Sequence, residues 1–164
     1  MAKKAAGTPA LDILTAAGVT FSLHEYDHEA RHHFGDETVA VLGVSAQRVF
    51  KTLIASITTS GKPELVVALV PVSGQLDLKA LARVLAAKNA DMADPAIAQR
   101  SSGYVVGGIS PLGQRTRLRT VVDSSAMAYG TVLVSGGRRG LQVELDPADL
   151  VWLTDATVAE IGRP

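Results

Sequence analysis

The sequence predicts one α/β domain with a largely β centre, and three observations carry that expectation. Thr8-Pro9, Asp94-Pro95 and Asp146-Pro147 each set a side-chain oxygen before a proline, the combination that opens a helix. Short apolar runs rich in β-branched residues, such as 49–57 and 65–70, read as strands. The connections are too short and irregular for a regular βαβ alternation. No repeat, low-complexity tract or linker divides the 164 residues, so 1–164 is expected to be a single domain with a real core.

In chain order, Thr8 and Pro9 start a helix whose apolar stripe is Leu11 and Leu14 with Ala10 and Ala17, and Gly18 stops it. Residues 19–26 read as a strand, with Phe21 and Leu23 on one face and His24 and Tyr26 on the other. Residues 27–35 form a polar loop, and Asp36 opens a short helix ending at Leu42-Gly43. The turn Ser60-Gly61-Lys62-Pro63 folds strand 49–57 back on 65–70 as a hairpin. Asp77 caps a helix over 78–87 with Leu78, Leu81, Ala82 and Leu85 on one side. From Gly103 onward, glycine-rich loops alternate with β runs at 104–106, 120–122, 131–134 and 141–145. A last helix starts at Asp146-Pro147, where Asp149 suits the positive end of the helix dipole.

Composition narrows the function classes. Apolar residues are 47%, charged residues 20% and aromatics only 4%, so Ala, Val and Leu must fill the core of a soluble globular chain. The formal net charge is zero, which excludes tight nucleic-acid binding by bulk charge; such a partner must be met locally, weakly or with help. There is no cysteine, which excludes disulfides, thiolate catalysis and zinc ribbons and fits a cytoplasmic location. The start Met1-Ala2-Lys3-Lys4 lacks a secretory apolar run, and no apolar stretch reaches the ~18 residues of a membrane span.

Lys51 is the most informative residue. It interrupts an otherwise apolar strand, where an ammonium must find a counter-charge, shift its pKa, hold an anionic ligand or snorkel to solvent. The 107–113 loop, Gly-Gly-Ile-Ser-Pro-Leu-Gly, is either an ordinary turn or a nest of amides able to stabilise an oxyanion. The run Ser135-Gly136-Gly137-Arg138-Arg139-Gly140 is either a hairpin turn or a pocket mouth with a hydroxyl and two arginines for phosphate. Arg115, Arg117 and Arg119 alternate as a basic strand face, for phosphate or for solvent. His24, His28 and His32 would share a face only on a helix, and the strand pattern there argues against a metal site. No Ser–His or Cys–His pair stands out, so the chemistry of an enzyme here must rest on positioning and polarisation, or on a nucleophile the substrate brings.

Several of these runs together resemble a known family. They include Leu23-His24-Glu25-Tyr26, His33-Phe34-Gly35-Asp36-Glu37, Phe50-Lys51-Thr52-Leu53, Gly74-Gln75-Leu76-Asp77, Gly107 to Gly113, and Ser135-Gly136-Gly137 with Arg139-Gly140-Leu141. From about Thr8 to Leu150 the pattern resembles the YbaK family of aminoacyl-tRNA deacylases, in the Cys-tRNA(Pro) branch related to the editing domain of bacterial prolyl-tRNA synthetase. The resemblance implies a mixed, curved central β-sheet with flanking helices, and trans-editing that removes cysteine from Cys-tRNA(Pro) without metal or cofactor. It implies catalytic roles for Lys51 and Gly108, substrate contacts from Tyr26, Phe34, Thr52 and Ser135, and attack by the substrate's own sulfur. Its implied partners are aminoacylated tRNA(Pro) and prolyl-tRNA synthetase, the latter supplying most of the grip on tRNA. Some members carry an acidic residue where this chain has Gln142, which still offers hydrogen bonds to substrate. Two alternatives share the same residues: a deacylase for another small amino acid such as alanine, and a non-catalytic tRNA- or synthetase-binding module.

Overall fold

A computed structural model describes residues 7–27 and 34–164. Helix α1 (Pro9–Ala17) starts as expected: the Thr8 hydroxyl accepts the Leu11 N–H at 3.2 Å, and Gly18 ends it at φ 71°. Strand β1 (Phe21–Glu25) follows, then α2 (Phe34–Leu42). The helix therefore begins at Phe34, two residues before the expected Asp36. Most of the expected polar loop, 28–33, lies outside the described residues.

Strands β2 (Phe50–Thr58) and β3 (Pro63–Pro71) form the expected antiparallel hairpin, with Lys51 opposite Val70 and Thr52 opposite Leu69. A two-residue strand β4 (Gln75–Leu76) leads to α3 (Leu78–Val84), capped by Asp77. That helix is three residues shorter than the pattern suggested. Ala86 takes φ 55° without a glycine to announce it, and the Ala87 N–H turns back to the Ala82 carbonyl. Then come β5 (Asn89–Met92), α4 (Pro95–Ser102), β6 (Arg119–Asp123) and a 3₁₀ turn over Ser124–Ala128. The chain continues through β7 (Val132–Ser135), β8 (Leu141–Leu145), α5 (Pro147–Thr154), β9 (Thr157–Ala159) and β10 (Gly162–Arg163).

Five strands form a mixed sheet in the order β5-β2-β3-β6-β9, and β1-β8-β7 form a second, antiparallel sheet. A single parallel bridge, Val49 to Leu133, joins the two, so the β structure bends from one into the other as one curved layer. Alternation along the central strands feeds two cores. Phe50, Ile54, Val67 and Leu69 face the core shared with α1, α5 and the second sheet. Leu53, Ala55, Ile57, Val66, Ala68 and Val70 face the core closed by α3, Leu76 and Ile161. Lys51 and Thr52 therefore project from opposite faces of β2.

Three expectations differ from the structure. Residues 104–106 are not a strand: Tyr104 is buried, and its hydroxyl donates to the Leu112 carbonyl at 2.7 Å. Arg115 and Arg117 precede β6, so they form no strand face with Arg119. Arg119 itself makes a two-pronged pair with Glu64 at 2.8 and 3.0 Å. His24 sits on β1 and bonds Glu144 at 2.8 Å, while His28 and His32 lie outside the described residues.

The carboxylate of Asp123 anchors the C-terminal strand. It accepts the amides of Ile161 and Gly162 at 2.9 and 2.8 Å and the Ser125 hydroxyl at 2.5 Å. Burial pushes its pKa up, but the Ser125 hydroxyl and the amides of Ile161, Gly162 and Ser125 outweigh that and hold it below the ordinary aspartate value. A depressed carboxylate pKa stabilises the fold above its unfolded value, and that stability is lost as pH falls through the folded value. Asp123→Ala strands the amide of fully buried Ile161. It is expected to cost about 3 kcal/mol and to lower Tm by about 8 °C at neutral pH, read by thermal denaturation. The difference from the parent should narrow when the scan is repeated well below pH 4.

Candidate active site

A cavity of about 720 Å³ lies beside β2. Its walls come from distant parts of the chain: Asp36 and Thr38 of α2, residues 49–54, the 72–75 turn, Met92 and Ala93, Gly107 and Ile109, Ser135, Gln142 and Pro164. Lys51, Thr52, Ser135 and Gln142, four residues picked out in the sequence, thus share one chamber.

Lys51 and Asp36 carry the only charged side chains among the described residues lining it. Burial lowers the Lys51 pKa, and the nearby negative charge of Asp36 opposes that. The result is a partly desolvated cation with no direct ion pair among the described residues, available to an incoming anion or a polarised ester. On the other face of β2, Thr52 Oγ1 and Gln142 Oε1 are buried without a hydrogen-bond partner among the described residues. Gln142 is 8% exposed and lies opposite Ser135 across the β7–β8 pair. Buried polar atoms without partners are uncommon in folded proteins, and two in one chamber mark places where a ligand or water completes the bonding.

The two glycine-rich loops pack on each other. A Cβ on Gly108 would lie 2.8 Å from backbone atoms of Arg138 and Arg139, so only glycine lets the loops approach this closely. The Gly108 N–H donates to the Val105 carbonyl at 2.8 Å, and it is the neighbours Gly107 and Ile109 that line the cavity. Arg139 holds the Val106 carbonyl through Nε at 2.9 Å, and Arg138 pairs with Glu25 at 2.6 Å, so both arginines make internal bonds. Ser135 Oγ accepts the Gly137 N–H at 3.2 Å.

Sequence reasoning missed two supports of these loops. The Thr8 hydroxyl, besides capping α1, donates to the Gly136 carbonyl at 2.6 Å. Tyr104 pins Leu112 from the opposite side, and burial pushes its phenol up to about 12, so it stays a neutral donor. A buried tyrosine at a glycine junction was a usable signal; a threonine bonding a residue 128 positions away was not.

Tyr26 lies just outside the wall. Its hydroxyl shares a 2.5 Å hydrogen bond with Thr38, whose side chain faces the cavity. Phe34 is the first residue of α2, and its side chain lies outside the described part of the structure. No described helix is long and apolar enough to cross a membrane.

The curved mixed sheet with its flanking helices matches the fold of a known class of proteins. The chain belongs to the aminoacyl-tRNA editing domain family, whose sequence model matches residues 28–153. It is 33% identical over 154 residues to a protein of Enterococcus faecalis named "Putative Cys-tRNA(Pro)/Cys-tRNA(Cys) deacylase EbsC", covering 94% of this chain and 92% of that one. Among solved structures it is similar to hypothetical protein APE2540, with TM-score 0.83, 26% identity and coverage of 95% and 100% of the two chains. It also shares its fold with "a putative trans-editing enzyme for prolyl tRNA synthetase" at TM-score 0.82, 22% identity and coverage of 98% and 100%.

Proposed function

We propose that this protein is a trans-acting deacylase that removes cysteine from Cys-tRNA(Pro). The observation that carries the reading is the single chamber holding Lys51, Thr52, Ser135 and Gln142 together with Gly107 and Ile109. The name of the E. faecalis relative supports the same substrate class. A volume of about 720 Å³ is ample for the terminal nucleoside together with its aminoacyl group.

In this reading the Lys51 ammonium holds the 3′-terminal phosphate or the ester oxygens, and Ser135, Thr52 and Gln142 contact the aminoacyl group. Tyr26 supports the wall on the α2 side through Thr38, Phe34 is a further substrate contact in this reading, and Gly108 acts by keeping the two loops in contact. No histidine or glutamate side chain lines the chamber among the described residues, and Asp36 is its one carboxylate side chain. That suits a mechanism in which the substrate supplies its nucleophile. The cysteine sulfur attacks its own carbonyl carbon, the bond to the ribose oxygen breaks, and that oxygen leaves with a proton. The four-membered thiolactone so released then opens in water.

With a net charge of zero, prolyl-tRNA synthetase would supply most of the grip on tRNA(Pro). The test is a deacylation assay on proline tRNA charged with cysteine, alanine or proline. The expected order of rates is cysteine well above alanine, with proline spared. Equal indifference to all three would sink the proposal, and a preference for alanine would move it to another small amino acid.

A further inference from the structure

Six consecutive residues, 49–54, line the cavity. Side chains of a strand alternate between faces, so no one face supplies all six; a chamber that touches each of them runs along the strand's backbone edge. The pairing shows why that edge is open. Strand β5 joins β2 only from Ala55 to Thr58, and β7 touches the same side only at the Val49–Leu133 bridge. Between those two partners the sheet has a gap, and the chamber fills it.

Peptide directions along this stretch follow from the bonds at its ends. The Val72 N–H donates to the Val49 carbonyl at 2.8 Å, so Val49, Lys51 and Leu53 aim their peptide groups at β3. The Ala93 and Leu133 amides donate to the carbonyls of Ile54 and Arg48 at 3.0 and 2.9 Å, so Arg48, Phe50, Thr52 and Ile54 aim theirs the other way. The N–H and C=O of Thr52 therefore face the chamber, with no ladder partner among the described residues. Thr52 Oγ1 and Gln142 Oε1, both buried and without a hydrogen-bond partner among the described residues, belong to residues lining the same chamber.

We propose that the open peptide edge at Thr52 recognises the aminoacyl group through its backbone. In a hydrogen-bonded antiparallel pair, two facing residues exchange both N–H···O bonds. An aminoacyl ester docked opposite Thr52 makes the same exchange: its carbonyl oxygen accepts the Thr52 N–H, and its α-ammonium donates to the Thr52 C=O, a one-residue form of strand addition. Gln142 Oε1 and Thr52 Oγ1 take the remaining ammonium hydrogens. When sulfur attacks the carbonyl carbon, negative charge builds on the oxygen already bonded to the Thr52 N–H. That amide then serves as an oxyanion donor, a task for which the Gly108 amide, bound to Val105, is not free. The inference rests on the aminoacyl-ester reading above and adds the atoms that hold the ester.

The test uses the intact protein, ¹⁵N-labelled and titrated with a non-hydrolysable 3′-amide analogue of cysteinyl-adenosine. The Thr52 amide resonance is expected to move downfield on binding, and the N-acetylated analogue, which lacks the ammonium, to bind at least about 10-fold more weakly. Binding that leaves the Thr52 amide unmoved would overturn the proposal. Kinetics give a second reading. Thr52→Val removes only the hydroxyl, whereas Thr52→Pro also deletes the N–H, at an unpaired edge where proline is tolerated. Deacylation by Thr52→Pro is expected to fall about 100-fold or more below that of Thr52→Val, and equal rates would overturn the proposal. A wild-type protein that neither cleaves the ester nor binds the analogue would overturn the aminoacyl reading itself, and this inference with it.

Discussion

Lys51→Met is expected to abolish deacylation, by about 1,000-fold or more in kcat/KM, while raising Tm by about 2 °C. The two effects share a cause. Burial lowers the lysine pKa, which means the folded protein holds that charge less willingly than the unfolded chain does. Between the folded value and the ordinary lysine value, the unfolded chain binds more protons, so stability rises with pH across that window. Below the window the charged lysine costs stability in full, and a methionine of similar length removes that cost. The neighbouring Asp36 carboxylate offsets only part of the penalty. A cation kept at a net cost in a cleft wall, with Asp36 the only other charged side chain among the described lining residues, is the pattern expected where function opposes stability. The pH dependence follows with its sign: if the ammonium is the working form, enzymatic turnover corrected for spontaneous ester hydrolysis falls as pH rises, with a midpoint below the usual lysine range. Measuring kcat/KM from about pH 6 up to the ordinary lysine value of about 10.4 checks it. Retained activity in Lys51→Met would remove the lysine from the chemistry, and a large fall in Tm would mean that the ammonium is a structural partner instead.

What could be read in the sequence was local. The helix starts at Pro9, Pro95 and Pro147 were legible because each needs only a capping oxygen and the following residues to declare itself. The β2–β3 hairpin was legible because its two apolar runs flank a turn of matching length. Strand β5 was not: Asn-Ala-Asp-Met has no apolar alternation, and it is a strand only because β2 offers it an edge from Ala55 onward. Strands β9 and β10 are two or three residues long and owe their place to β6, β4 and the Asp123 carboxylate. The candidate site divides in the same way. Lys51 stood out as a charge in an apolar run, and the glycine loops as motifs. The gap in the sheet did not, because it is defined by where two distant strands stop pairing. Gly108 shows the limit most clearly: its motif singled out the loop, but its amide bonds the Val105 carbonyl, and its missing side chain is what lets the loop pack on residues 138 and 139.

That contact makes Gly108→Ala the second large prediction. The loop has no need of glycine at this position for a left-handed backbone; Gly107, at φ 88°, meets that need next door. What Gly108 provides is absence of a side chain, because an added Cβ meets the Cα and C of Arg138 and the N of Arg139 at 2.8 Å. Those atoms are backbone and cannot rotate away as a flexible side-chain tip could, so one loop must retreat. Retreat of the first loop shifts Gly107 and Ile109 relative to Ser135 and Gln142, which line the same chamber. Overpacking of this kind costs about 1–3 kcal/mol, or about 2–8 °C in Tm for a chain of this size. Displacement of a positioning group by about 1 Å can cost about 100-fold in rate. Gly108→Ala should therefore lose both activity and stability, in contrast to Lys51→Met, which loses activity alone. Gly130→Ala is the matched control: a Cβ there meets nothing within 4 Å, and both Tm and kcat/KM should stay at parental values. If Gly108→Ala instead behaves like that control, the close approach of the two loops does not set the chamber's geometry. The 107–109 wall would then have to be held by Tyr104 through Leu112 and by Arg139 through Val106, which the same pair of measurements on Tyr104→Phe would show.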